Sequence, residues 1–123
     1  MTVLVADDDS GVRKLASRIL RTRGHSVLEA ASGAEALVVA RAWHGRIHLL
    51  VTDVEMPEMS GWELARRLQD ERPGLETLYI SGYGENAAGP QGLVDKKIHF
   101  LQKPFEAGAL VETVRKLLDE ATD

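Results

Sequence analysis

The sequence predicts a doubly wound α/β fold, with five parallel strands in the order 2-1-3-4-5 and helices on both faces of the sheet. Three observations carry this. Short apolar runs alternate along the chain with segments of helical periodicity, as in successive βα units. Four of those runs end in residues suited to handling a phosphoryl group. Val3-Leu4-Val5-Ala6 ends in Asp7-Asp8-Asp9, Leu49-Leu50-Val51-Thr52 in Asp53, Leu78-Tyr79-Ile80 in Ser81-Gly82, and Phe100-Leu101-Gln102 in Lys103-Pro104. Finally, 123 residues suffice for one compact domain built on one core.

Each element has its own signal. The first strand is Val3 to Ala6. Val12, Leu15, Ala16, Ile19 and Leu20 follow the i, i+3, i+4, i+7, i+8 spacing of an amphipathic helix, and Gly24 sits where it should stop. Val27-Leu28 is a short second strand. Ala36, Leu37, Ala40 and Trp43 mark a second helix that Gly45 ends. Leu49 to Thr52 form the third strand; Leu64, Ala65 and Leu68 mark a third helix closing near Arg72-Pro73-Gly74. Leu78 to Ile80 form the fourth strand. The fourth helix, within residues 84–97, is the weak element. Gly84, Gly89, Pro90 and Gly92 disfavour a helix interior, so a short or irregular helix is expected. Phe100-Leu101 is the fifth strand, and Leu110, Val114, Leu117, Leu118 and Ala121 mark the final helix. Right-handed crossovers and the 2-1-3-4-5 order put strands one and three side by side at the switch point. Asp7 and Asp8 then lie next to Asp53. No repeat, linker or low-complexity stretch interrupts the chain, so residues 1–123 read as a single domain with no output domain expected.

Composition excludes several function classes. The apolar fraction of 44% argues against disorder. No run of about 18 apolar residues is present, so membrane insertion is not expected. The chain enters a strand pattern without a charged leader, so no signal peptide is expected. The absence of cysteine rules out disulfides and thiolate metal sites and fits a cytoplasmic location. A net charge of −4 argues against direct nucleic-acid binding. Local crowding says more. Asp7, Asp8, Asp9, Asp53 and Glu55 repel one another unless a cation sits among them.

At one sheet edge these residues make a phosphoryl-transfer pocket. Asp53 is the candidate nucleophile, since a carboxylate can accept a phosphoryl group as an acyl phosphate. Asp7 and Asp8 offer oxygens to a hard cation. Mg²⁺ suits them, because it takes one or two carboxylates, keeps waters and bridges phosphate oxygens. Lys103 supplies a fixed positive charge and Ser81 a hydrogen bond to the phosphoryl oxygens. Taken singly, each residue has an ordinary explanation. An acidic triplet after a strand caps a helix, and Asp9 and Ser10 are read as such caps. Asp53 before a proline-containing loop is a turn residue, and Lys103-Pro104 is a turn that admits a cis bond. Their joint placement in strand-end register is what the ordinary explanations do not cover. The histidines (His25, His44, His48, His99) show no ligand spacing and read as surface or packing residues. Trp43 and Trp62 read as helix packing or partner contacts, and Met56 and Met59 belong to the loop after Asp53.

Asp7-Asp8, then Asp53 in the string Asp53-Val54-Glu55-Met56-Pro57-Glu58-Met59-Ser60-Gly61, then Ser81, then Lys103-Pro104-Phe105, resembles the receiver domain of bacterial two-component systems. The similarity covers essentially the whole chain, and the combined motif is specific in order and spacing. It implies a flavodoxin-like (βα)₅ fold. It also implies that Asp53 takes a phosphoryl group from a phosphohistidine on a sensor histidine kinase or histidine phosphotransferase, with Mg²⁺ required. On that match Asp8 and Asp53 are direct metal ligands, Asp7 acts through water, and the Glu55 backbone carbonyl completes the set. Ser81 and Lys103 become the switch hydroxyl and the phosphate-binding lysine. Phe100 falls at the aromatic switch position, where many members carry tyrosine. Glu55 and Tyr83 fall at positions that tune phosphate lifetime. Ile80-Ser81-Gly82-Tyr83-Gly84 and Phe100 to Phe105 look like receivers at the C-terminal end of hybrid sensor kinases. The dimer face used by many members includes the fourth helix, which is compromised here, so a monomer or weak dimer is expected.

Three other readings compete. A Mg²⁺-dependent phosphatase with an aspartate nucleophile would use Glu55 as its second acid, but 123 residues leave little room for a cap domain. A flavin or nucleotide binder would need a Ser/Thr/Gly-rich phosphate loop where Asp7-Asp8-Asp9 stands. A receiver acting by binding alone would not need a complete acidic site. The chain is therefore read as a phosphoacceptor without a dedicated turnover substrate.

Overall fold

A computed structural model describes residues 1–82 and 99–122. The predicted fourth helix and Tyr83 lie outside those residues. The described elements run β1 (Thr2–Ala6), α1 (Ser10–Thr22), β2 (Ser26–Ala30), α2 (Gly33–Ala42), β3 (Leu49–Asp53), α3 (Gly61–Glu71), β4 (Glu76–Ser81), β5 (His99–Gln102) and α4 (Ala107–Thr122). All strand pairs are parallel, in the order β2-β1-β3-β4-β5. That is the predicted order, and β1 and β3 are neighbours, with Ala6 opposite Thr52.

The sheet is covered on both faces, which is why its strands read as continuous apolar runs. Alternate residues serve opposite cores. Leu4, Ala6 and Leu50 face the layer formed by α2 and α3, together with Leu37, Leu64 and Leu68. Val3, Val5, Leu49, Val51, Leu78 and Ile80 face α1 and α4, against Leu20, Leu110, Val114 and Leu117. Side chains that alternate by residue give each strand two buried faces without any change of composition.

Helix starts follow the sequence closely. Asp9, Ser32 and Ser60 cap α1, α2 and α3, each accepting backbone N–H groups of the first turn. Gly24 terminates α1 at a φ of 90°, a left-handed conformation that favours glycine, and its N–H donates to Arg21 O at 3.0 Å.

Other boundaries differ from expectation. α2 ends at Ala42 rather than Gly45, and Trp43 is its extended C-cap. The reason lies in α3's own C-cap, Arg72. Its guanidinium donates to the carbonyl oxygens of Ala40, Trp43 and Gly45 at 2.8–3.0 Å, replacing further helical bonds. β2 spans five residues rather than two. β4 begins at Glu76 and extends through Ser81. Leu15, assigned to the buried stripe of α1, is 46% exposed. The stripe centres on Ala16 and Leu20, and one residue turns a helix by about 100°. Ser17 takes the buried place, its hydroxyl donating to Arg13 O at 2.8 Å.

Candidate phosphoacceptor site

The carboxyl ends of β1, β3, β4 and β5 converge on one edge of the sheet. Asp7 follows β1, Asp53 ends β3, Ser81 ends β4 and Lys103 follows β5. Asp7, Asp53 and Ser81 are buried, while Asp8 is exposed. One carboxylate oxygen from each of Asp7, Asp8 and Asp53 lies within 4.8 Å of the others. The Lys103 ammonium stands between two of them, 3.1 Å from Asp7 Oδ2 and 3.3 Å from Asp53 Oδ2. Its backbone N–H donates to Ser81 O at 2.8 Å, which ties the ends of β4 and β5 together. The Lys103-Pro104 peptide is cis.

The electrostatics follow from burial. Burial pushes the Asp7 carboxyl above its ordinary value; the Asp9 N–H and Lys103 pull it back only in part. Burial alone would lower Lys103, but Asp7 and Asp53 together outweigh it and hold the ammonium above its ordinary value. Burial thus works against the charged form of Asp7, while the two carboxylates favour the charged form of Lys103 between them. The cluster holds three carboxyl groups, and one ammonium pairs with two of them. The all-oxygen donor set suits a hard divalent cation such as Mg²⁺.

Asp9 stays out of the cluster. Its Oδ1 accepts from Gly11 N at 2.9 Å and Val12 N at 3.2 Å, so it is the expected helix cap. The Glu55 side chain is exposed and is not among the three clustered carboxylates. Its segment is nevertheless tightly fixed. Val54 N–H donates to Ile80 O at 3.0 Å and Gly61 N–H to Val54 O at 2.8 Å. Met56 is buried in the α2–α3 layer. Met59 lies so close to Gly33 that a Cβ there would fall 2.7 Å from its sulfur.

Two further features were not legible in the sequence. At Gly61 an added Cβ would lie far inside van der Waals contact with the Asp53 carbonyl oxygen, so only glycine lets α3 start against the candidate nucleophile's backbone. Phe100 pairs in register with Tyr79, and both rings meet Trp62. Ring centroids are 4.1 Å apart for Trp62–Tyr79, 5.5 Å for Trp62–Phe100 and 5.7 Å for Tyr79–Phe100. The sequence reads Trp62 as helix packing or a partner contact, and the structure packs it on these two rings. Burial raises the Tyr79 hydroxyl to about 12, so it stays protonated. At the opposite edge of the sheet, His48 Nδ1 accepts the Thr2 N–H at 3.0 Å, in keeping with a packing role.

Comparison with known proteins agrees with this geometry. The family model described as "Response regulator receiver domain" matches residues 3–115. The chain is 40% identical over 119 residues to the sensor kinase CckA of Brucella abortus, a match covering 97% of the chain but only 13% of that kinase. It is 34% identical over 116 residues to the response regulator receiver protein CpdR of the same organism, covering 94% of the chain and 95% of CpdR. The crystal structure of the receiver domain from the hybrid histidine kinase CckA superposes with a TM-score of 0.81 at 36% identity, covering 96% of this chain and 99% of that one.

Proposed function

The chain belongs to the response regulator receiver domain family, phosphoacceptors of two-component signalling, and from that premise we propose that Asp53 is its phosphoacceptor. The donor is a phosphohistidine on a sensor histidine kinase or histidine phosphotransferase. An Asp53 carboxylate oxygen attacks phosphorus, the P–N bond to imidazole breaks, and the imidazole leaves with the electron pair and takes up a proton. The product is an acyl phosphate on Asp53.

The gathering of Asp7, Asp8 and Asp53 around Lys103 carries this reading. Asp8 and Asp53 would hold Mg²⁺ directly, with the Glu55 backbone carbonyl, and Asp7 through water. When bound, Mg²⁺ would supply neutralisation of charge on the phosphoryl oxygens. Lys103 moves its ammonium from the carboxylates to the transferred group. Ser81, buried at the end of β4, donates to one phosphoryl oxygen. Phe100 responds as the aromatic switch, leaving or tightening its contact with Trp62 and Tyr79. Glu55 and Tyr83 tune the lifetime of the acyl phosphate. The domain acts as a switch rather than a turnover enzyme, as a monomer or weak dimer that neither binds nucleic acid nor inserts in a membrane. Among the described residues no helix is long and apolar enough to cross a membrane. A cytoplasmic setting accords with the absence of cysteine.

The test is an amide NMR titration with beryllofluoride, a phosphoryl mimic, with and without Mg²⁺, in the parent chain and in Asp53→Asn. Mg²⁺-dependent shifts at residues 7–9, 53–60, 81–84 and 100–105, absent in the variant, are expected. A folded parent chain that shows no response would leave only a binding role for the pocket.

A further inference from the structure

Arg13 is out of place as a helix residue. It lies near the N-terminus of α1, where the helix dipole disfavours a cation, and beyond the Asp9 cap α1 has no acid in its first turn. Its side chain is nevertheless well ordered by contacts and only 16% exposed. Nη1 donates to the Asp7 backbone carbonyl at 2.8 Å. The Arg13 backbone N–H donates to the Asp9 carbonyl at 2.9 Å. The Arg13 side chain thus holds the Asp7 end of the turn, and the first main-chain bond of the helix holds the Asp9 end.

The far side of the guanidinium is braced. Arg13 Nε lies 3.6 Å from Glu29 Oε1, and the other Glu29 oxygen meets Arg21 Nη1 at 3.1 Å. Glu29 sits on β2 in register with Val5 of β1. A line of contacts therefore runs from the edge strand through Glu29 and Arg13 into the acidic turn. The turn has other ties, among them Lys103 Nζ at 3.1 Å from Asp7 Oδ2 and the two cap bonds of Asp9. Asp9 N–H donates to Asp7 Oδ1 at 2.9 Å, and Asp7 N–H to Ala30 O at 3.1 Å. The Arg13 bond to the Asp7 carbonyl is charge-assisted and comes from a side chain only 16% exposed.

We propose that Arg13, braced by Glu29, is a positioning residue that fixes the Asp7 carbonyl and so holds Asp7 and Asp8 at the spacing a divalent cation needs. This rests on the metal-binding reading given above. It acts through the backbone of the turn, as supporting groups behind metal ligands do.

The sign of one measurement separates positioning from simple charge. Removing a cation near three carboxylates would, by electrostatics alone, tighten Mg²⁺ binding. Loss of positioning weakens it. We expect Arg13→Ala to bind Mg²⁺ about tenfold more weakly, at the low end for lost outer-shell partners. Affinity is read from amide shifts of residues 7–9 during titration with Mg²⁺ alone. Arg13→Lys, which keeps the charge without the planar fork, should remain weak, and Glu29→Gln should move the same way by less. Hydrogen exchange at the Asp9 amide, measured without metal, should quicken in Arg13→Ala beyond any change in global unfolding. Unchanged or tighter Mg²⁺ binding, or an Asp9 amide that exchanges as in the parent, overturns the proposal. A parent chain that binds no Mg²⁺ overturns the metal reading instead, and the metal-free exchange result still decides the role of Arg13 in the turn.

Discussion

Gly61→Ala tests the architecture of the site at its tightest point. The new Cβ would collide with the Asp53 carbonyl oxygen and lie 3.0 Å from the carbonyl carbon and 3.2 Å from Thr52 Cγ2. Ordinary contact begins at 3.4 Å, so the carbonyl carbon must retreat by about 0.4 Å and the oxygen by more. Neither partner can yield cheaply. Thr52 is fully buried, and the Gly61 N–H is itself bonded to Val54 O at 2.8 Å. Overpacking of this kind costs typically about 2 kcal/mol, and for a domain of this size that lowers Tm by about 8 °C. The displacement falls on the backbone of the proposed phosphoacceptor. A shift approaching 1 Å at a reacting group can cost about 100-fold in rate, so phosphoryl uptake from a small donor should fall by up to that factor. Differential scanning calorimetry reads the first effect and the rate of phosphoryl uptake from a small-molecule donor reads the second, with the beryllofluoride titration as a check that the pocket still binds. Gly108→Ala is the control: an added Cβ meets nothing within 4 Å, and alanine in a helix should leave Tm unchanged or raise it slightly. A Gly61→Ala chain with the parent's Tm and the parent's beryllofluoride response would refute the claim that α3 must start against the Asp53 carbonyl.

Other parts of the molecule make separate predictions. Burial first, then Arg46 and the chain's amino terminus, lower the pKa of His48 from 6.5; His25 beside it is lowered by burial, the same terminus and His48. A histidine with a depressed folded value gives stability that is present above 6.5 and lost as the pH falls through the folded value, so urea midpoints should drop as the pH falls below 6.5. His48→Gln, which keeps an acceptor for the Thr2 N–H but cannot protonate, should flatten that slope; an unchanged slope would exclude His48 as its source. Arg72→Ala removes the donor that closes α2 on three carbonyls and should cost about 2 kcal/mol in urea unfolding, with Mg²⁺ binding at the far edge unchanged.

Some features were legible because they obey a period and others were not because they depend on a neighbour. Asp7, Asp53, Ser81 and Lys103 could be placed at one edge because each follows a buried-type run, and parallel strands bring equivalent ends together. The 2-1-3-4-5 order then set Asp7 beside Asp53 without any knowledge of side-chain contacts. Leu15 was misassigned because helical periodicity fixes the repeat of a stripe but not its centre to within one residue. The end of α2 was missed because Arg72, 29 to 32 residues away, supplies the donors that end it. Gly61 and Arg13 act on backbone carbonyls. Such contacts leave no pattern in composition or spacing, since every residue has a carbonyl.

The arrangement of charge suggests how this site couples to the rest of the fold on the proposed reading. Without a ligand, Lys103 divides its charge between Asp7 and Asp53. Phosphorylation of Asp53 removes the negative charge of its carboxylate and adds a phosphoryl group with more than one, so the ammonium is drawn outward along the new bond. The Lys103 backbone is tied to the end of β4. Its N–H is bonded to Ser81 O, so a shift of its backbone pulls on the residue that carries the switch hydroxyl. Two strand positions earlier than Gln102, Phe100 rests on Tyr79 and Trp62, so movement of the β5 end is felt where α3 packs on the sheet. Trp62 belongs to the first turn of α3, next to Gly61, which touches the Asp53 backbone. The phosphoacceptor therefore reaches the aromatic cluster by two routes, one through Lys103 and β5 and one through Gly61 and α3. A ring held from both sides has fewer intermediate positions than a ring on a free strand, which favours a two-position response over a graded one.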